Sequence, residues 1–207
     1  MIKEIRKAMK QVFEIKDKNI IDQMMSKAEY GTLALCEGDT PYSIPVNFVH
    51  DGENVYFHGS QKGRKMKLLR SNPKVSFSIV ENFSLIASYF SSDEGLACPA
   101  TQFFKSIVID GTVTIVEEKE EKIHALTLLM QKLQPEGQYK PFTNEAYEKM
   151  INATAVLKIT AAQLKAKFKF GQHLDKNRFD KIISHLEARN SELDIATIEM
   201  MKEQAND

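Results

Sequence analysis

Apolar residues return at every second position in six separate runs along this chain, and at helical spacing in several of the stretches between them. Residues 32–36, 43–49, 55–58, 75–79, 106–115 and 155–159 carry the two-residue period, which sends alternate side chains to opposite faces of a strand. In the second run Ile44, Val46 and Phe48 share one face, and Ser43, Pro45 and Asn47 the other. Glu37-Gly38-Asp39-Thr40 and Asp51-Gly52-Glu53-Asn54, on either side of that run, have turn chemistry. Helical spacing holds over 17–30, where Ile20, Ile21, Met24, Met25 and Ala28 mark one face. Asp17 or Asn19 can cap that helix, and Gly31 can end it. Further helices are predicted over 66–70, over 117–133, over 143–150 with Thr143 as cap, and twice within 175–204. Residues 82–104 have no clean period and read as an inserted excursion, and 161–173 read as a basic connector.

Short strands joined by hairpin signals predict a mainly β fold with added helices, built on a six-stranded antiparallel barrel that is closed or nearly so. Pro45 puts its strand at or near an edge, because proline donates no ladder bond. Gly111, in mid-strand, suits a bulge or a corner. Residues 1–16 are basic, with Ile2, Ile5, Met9 and Val12 near helical spacing, and read as an N-terminal arm. The barrel domain is expected over 17–160 and a C-terminal helical extension over 161–207.

Composition narrows the function by exclusion. The 207 residues carry 28 Lys and Arg against 28 Asp and Glu, a balance that gives no global attraction to nucleic acid or to an anionic membrane. No apolar run is long enough to span a bilayer, and Met1 to Arg6 lack the apolar middle of a signal peptide. A cytoplasmic protein is expected. Cys36 and Cys98 are too few for a disulfide framework or a cysteine-based metal site. Cys36 lies in an apolar run and is expected in the core, Cys98 in a loop and exposed. The five histidines show no metal-ligand spacing, and no nucleophile elbow, dinucleotide fingerprint or P-loop occurs.

Any anion site must therefore be local, and one stretch supplies it. Phe57-His58-Gly59-Ser60-Gln61-Lys62-Gly63-Arg64-Lys65 joins a strand to a helix start through small residues and three cations. Free N–H groups and the positive dipole end favour an anion there, and arginine can fork two bonds to a phosphate. The plainer reading is a solvated helix start. Asn47, His58 and Ser106 lie on the non-core faces of three different strands. A polar strip beside an anion site suits a flat phosphorylated cofactor, with a second wall from a twofold partner.

Pro45-Val46-Asn47-Phe48, then Tyr56-Phe57-His58-Gly59-Ser60, Gly63-Arg64-Lys65 and Lys105-Ser106-Ile107-Val108-Ile109-Asp110-Gly111 resemble, in that order, the FMN-binding split-barrel proteins. These are relatives of pyridoxamine 5'-phosphate oxidase. Among them the chain is most similar to the nitroimidazole-resistance-type flavin-nucleotide-binding proteins. The resemblance implies FMN at a homodimer interface. Arg64 and Lys65 match the pair that grips the FMN phosphate, and Ser60 and Gly63 match the small turn residues. Pro45, Val46 and Asn47 match the strand whose backbone edges the flavin ring. Ser106 takes a place where oxidase relatives carry a polar side chain toward the cofactor. Phe57, Gly59 and Lys62 complete the candidate binding set. His58 matches a recurrent histidine and is the candidate catalytic residue; its plainer reading is a surface strand residue that bonds a neighbour.

The C-terminal Arg and His set that holds pyridoxal in the oxidases has no match. His173 and His185 are expected to face solvent on a polar tail. The implied activity is therefore not vitamin B6 oxidation. It is that of a flavin reductase-like or nitroreductase-like oxidoreductase, passing electrons from a reduced nicotinamide to a small flat acceptor. Two alternatives stand: a non-enzymatic flavin carrier or regulator, and a haem-binding split barrel with His58 or a tail histidine on iron. The haem reading ranks lower because haem has no phosphate for the basic turn.

Overall fold

A computed structural model describes residues 11–205; the arm read from Ile2, Ile5 and Met9 lies outside the described residues. The elements in chain order are β1 (Glu14–Ile15), α1 (Lys18–Lys27), β2 (Tyr30–Glu37), β3 (Thr40–Asn47), β4 (Val49–His50), β5 (Asn54–Ser60), α2 (Arg64–Ser71), β6 (Lys74–Ile86), β7 (Thr101–Ile115), α3 (Lys119–Leu133), α4 (Glu148–Ala153), β8 (Thr154–Lys169), α5 (Lys176–Arg189) and α6 (Glu192–Gln204). One sheet has the strand order β3-β2-β6-β7-β8-β5-β4, with β1 added to β8, so it holds eight strands where six were expected. The two additions, β1 and β4, are two residues long each, too short to show a period. The pairs β1–β8, β2–β3, β2–β6, β4–β5 and β5–β8 are antiparallel. β3 ends the strand order, where a strand containing Pro45 is tolerated.

Several expectations need correction. The excursion over 82–104 is partly strand: β6 runs on to Ile86 and β7 begins at Thr101. Likewise most of the basic connector is the far half of β8. Asp17 does cap α1, accepting from the N–H groups of Asn19 and Ile20, but α1 ends at Ala28, before Gly31. Gly31 lies in β2, where an added Cβ would stand 2.2 Å from the ring of Phe77. The stretch near 143–150 is a 3-10 turn at Glu145–Tyr147 followed by α4, and Asn144 rather than Thr143 caps it. Cys36 is exposed rather than core, because Leu33 and Leu35 take the buried face of β2, while Cys98 is exposed as expected. Among the described residues no helix is long and apolar enough to cross a membrane.

The chain forms two compact units, and β6, β7 and β8 each pass from one into the other, between Ile79 and Val80, Ser106 and Ile107, and Lys165 and Ala166. One unit comprises residues 17–79 and 107–165. Its core includes Leu33, Leu35, Phe48, Phe77 and, from α2, Met66, Leu68 and Leu69. A second cluster packs Ala125, Leu126 and Leu129 of α3 against Val49, Tyr56 and Val156 of β4, β5 and β8. Lys132, near the end of α3, donates to the Ala28 and Phe48 carbonyls at 2.5 and 2.9 Å. Burial holds its pKa below the ordinary lysine value. Gly111 of β7 lets the backbone approach Thr160 of β8, whose carbonyl oxygen stands 2.3 Å from where a Cβ would be.

The other unit is built from residues 80–106 and 166–205 together with the described residues before Asp17. Phe83, Phe103, Phe168 and Phe170 fill it with Ile182 and Leu186 of α5 and Met201 of α6. Among the described residues of this unit one carboxylate is buried, that of Asp194, and it is fully sequestered. The Asp194 carboxylate accepts from the Arg189 guanidinium at 2.5 and 2.9 Å, from the Ser84 hydroxyl at 2.5 Å and from the Ser191 N–H at 3.1 Å. The Arg189 and Ser84 bonds outweigh the burial penalty and hold the Asp194 pKa far below the carboxylate range.

Candidate functional site

Pairing with β8 fixes β5 residue by residue, from Asn54 opposite Thr160 to Ser60 opposite Thr154. Phe57 is fully buried, so its ring belongs to the core, while His58 and Ser60 reach the surface. Beyond Ser60 the chain turns tightly. The Ser60 hydroxyl accepts from the Lys62 N–H at 3.1 Å, and the Gln61 amide donates to the Asn152 carbonyl at 2.7 Å. Gly63 then takes φ 109°, a conformation side chains resist. The Lys67 N–H donates to the Gly63 carbonyl at 3.1 Å and closes the first turn of α2.

This helix start, like those of α3 and α4, has no side-chain cap. α1, α5 and α6 begin on the side chains of Asp17, Asp175 and Ser191, each accepting an early helical N–H. α2 begins on Gly63, which has no side chain to accept. The first N–H groups of α2 are left for an outside acceptor, at the positive end of the helix dipole.

Cations surround that opening in two different states. Lys65 is half-buried, with its ammonium 5.1 Å from the centre of the Phe57 ring. Gly59 leaves it room: an added Cβ there would meet the ammonium at 3.0 Å. Burial lowers the Lys65 pKa, and among the described residues no carboxylate pairs with it. Arg64 is engaged. Its Nε and Nη2 both donate to one Glu37 oxygen, at 3.3 and 3.2 Å, and its guanidinium lies 4.5 Å from the centre of the Tyr42 ring. The Lys67 ammonium stands 3.7 Å from the other Glu37 oxygen. Lys62, Gly63, Lys67 and Arg70 also line an open depression of about 590 Å³ on α2. Glu37 and Tyr42 were not legible as site residues, because only the β2–β3 hairpin brings them to a helix that begins 27 positions after Glu37.

The other candidates divide by what they expose. Pro45 and Asn47 are exposed and Val46 is buried, so Val46 can offer a ligand only its backbone. The Asn47 amide already donates to the Glu29 carbonyl at 3.1 Å. β3 approaches β5 within the same unit, so the turn and the Pro45–Asn47 segment belong to one body. Ser106 is half-buried on β7 in the other unit. Although His58 reaches the surface, partial desolvation of its ring, and then the Lys65 charge, push its pKa below the ordinary value, so the imidazole is neutral at neutral pH. Neither tail histidine simply faces solvent: His173 is exposed but packs edge-on against Phe13 with ring centres 5.3 Å apart, and His185 stacks on Phe90 at 4.6 Å and 11°. Of the aromatic rings that a flat ligand could stack on, Tyr30 and Tyr89 are exposed and Phe104 is half-buried, while Tyr56, Phe90 and Phe103 are core. Among the described residues no cluster of His, Cys, Asp and Glu could hold a metal ion.

Known proteins resemble the chain as follows. The family model for pyridoxamine 5'-phosphate oxidase matches residues 17–168. The uncharacterized protein RA0666 of Rhizobium meliloti (strain 1021) is 31% identical over 113 residues, which are 53% of this chain and 64% of that protein; the match thus spans less than two thirds of this curated relative. Among solved structures, a candidate 5-nitroimidazole antibiotic resistance protein from Bacteroides thetaiotaomicron VPI-5482 is similar with a TM-score of 0.62 at 22% identity, over 74% of this chain and 85% of that one. The flavocytochrome Anf3 from Azotobacter vinelandii is similar at 0.63 and 20%, over 77% and 70% of the two chains. The FAD and heme binding protein from Mycobacterium smegmatis is similar at 0.62 and 19%, over 76% and 74%.

Proposed function

The chain belongs to the pyridoxamine 5'-phosphate oxidase family, and from that premise we propose that it binds FMN as a homodimer and passes electrons from a reduced nicotinamide to a small flat acceptor. One observation carries the cofactor assignment: the uncapped start of α2 opens beside Lys65, a half-buried cation without a carboxylate partner among the described residues. That donor set fits a phosphate, since it combines unsatisfied N–H groups, a dipole end and a desolvated charge. The FAD and heme binding protein, similar in fold, lends support to a flavin and makes FAD the competing nucleotide.

When bound, the flavin supplies the redox chemistry; this chain holds and surrounds it. Lys65, Arg64 and the first N–H groups of α2 bind the phosphate. The backbone of Val46 and Asn47, on a strand that ends the sheet order, offers polar groups to the ring. His58, neutral at neutral pH, can donate or accept one hydrogen bond without adding charge. Tyr30, 61% exposed and directly opposite Asn47 in the ladder, gives a second copy an apolar surface to cover beside β3. A nicotinamide donor fits a cytoplasmic setting.

The test is an absorbance spectrum of the protein with FMN, before and after NADH or NADPH is added without air. Flavin bands that bleach support the oxidoreductase. Bands that persist with both nicotinamides overturn it in favour of a carrier or regulator. The phosphate assignment has its own test: Arg64→Ala with Lys65→Ala is expected to weaken FMN about thirtyfold, or about 2 kcal/mol, and unchanged affinity in a fluorescence titration removes it.

A further inference from the structure

We infer that Glu37 is an affinity-setting residue that competes with the cofactor phosphate for Arg64 and so makes the flavin exchangeable. The inference rests on the reading of Arg64 and Lys65 as the phosphate grip. Glu37 holds Arg64 through Nε and Nη2 together, which is one of the two edges on which a guanidinium can fork to an oxyanion. The stacking on Tyr42 keeps the guanidinium plane at the hairpin. The other Glu37 oxygen draws Lys67, the next cation along α2. A phosphate arriving at the α2 start must therefore displace Glu37 from that edge, or sit beside its negative charge. Either course opposes binding. Lys65, with no such partner, is left as the cation that favours it.

The competition has a defined size and a defined selectivity. The Arg64 and Glu37 side chains are 50% and 42% exposed, so their pairing is screened by water. Removing the Glu37 charge should tighten a phosphate-bearing flavin by about two- to fivefold. Riboflavin has the same ring and no phosphate, so its affinity should not move. Asp39 lies two residues away on the exposed tip of the same hairpin and controls for a general change of charge.

The experiment titrates the ligand-free protein with FMN and with riboflavin, following flavin fluorescence, for the parent chain, Glu37→Gln and Asp39→Asn. Support is a gain for FMN in Glu37→Gln, no gain for riboflavin, and a smaller gain or none in Asp39→Asn. Weaker FMN binding by Glu37→Gln would mean that the carboxylate orients Arg64 for the phosphate, and overturns the inference. Equal gains for both ligands, unchanged FMN affinity, or an equal gain in Asp39→Asn also overturn it. If the parent chain does not prefer FMN to riboflavin, the phosphate reading itself fails and the inference falls with it. A parent preference for FMN with no response to Glu37→Gln sinks the inference alone.

Discussion

Gly111→Ala is expected to destabilise the protein by about 3 kcal/mol. The added methyl would stand 2.3 Å from the Thr160 carbonyl oxygen, 3.1 Å from its carbon and 3.3 Å from the Ala161 Cα. All three are backbone atoms, so no side-chain rotation relieves the clash. Neither strand is free to step aside: Thr160 pairs with Asn54 on β5, and Val113 donates to the Pro73 carbonyl at 2.8 Å. Gly59→Ala is the contrasting case. Its methyl would meet the flexible tip of Lys65 at 3.0 Å, and it should cost less than about 1 kcal/mol. Urea denaturation of the two variants checks the argument. Equal midpoints would mean that β7 and β8 do not approach so closely at Gly111.

Asp194→Ala should cost a similar amount, about 3 kcal/mol, since it removes a buried carboxylate from a network that stays otherwise intact. The loss has several parts: both Arg189 bonds, the Ser84 bond, and half of the capping box that starts α6. Arg189 keeps the Leu85 carbonyl at 3.0 Å and is partly exposed, which limits the damage. The same carboxylate makes stability depend on acid. Its folded pKa lies far below the unfolded one, so its contribution is fully present above about pH 4 and is lost as the pH falls toward the folded value. Denaturation of the parent chain and Asp194→Asn across pH 2–6 should show two curves that converge at the acid end. Parallel curves would remove Asp194 from the account.

These two positions also show what a sequence reveals and what it hides. Alternation exposed β2, β3, β5 and the near half of β6 because one face is apolar throughout. It failed after Val80 because the faces stop matching polarity: Ser84 is buried and Leu85 is 64% exposed. Ser84 tolerates burial only because Asp194 and Thr197, more than a hundred residues on, satisfy it, and no local window contains them. The far half of β8 did carry a signal, with Ala166 and Phe168, and Phe170 just beyond its end, buried and alternating with lysines. Its alanines and lysines are weak strand formers, and they masked that signal. At the site, the small residues and cations between Gly59 and Lys65 were legible because a helix start needs only neighbours in sequence. The Glu37 partner of Arg64 was not, because a hairpin supplies it.

The three strands that change unit partway along have a practical consequence for genetics. Neither unit is written as one uninterrupted stretch of the gene, so no pair of end points isolates either of them. Deletion mapping, the usual way to assign a ligand to a region, will mislead here: a truncation before Ala166 cuts β8 in two and takes α5 and α6 with it. The loss of binding that follows would report a broken sheet and say nothing about where the ligand sits. Point substitutions in the uncut chain are the route to mapping this protein.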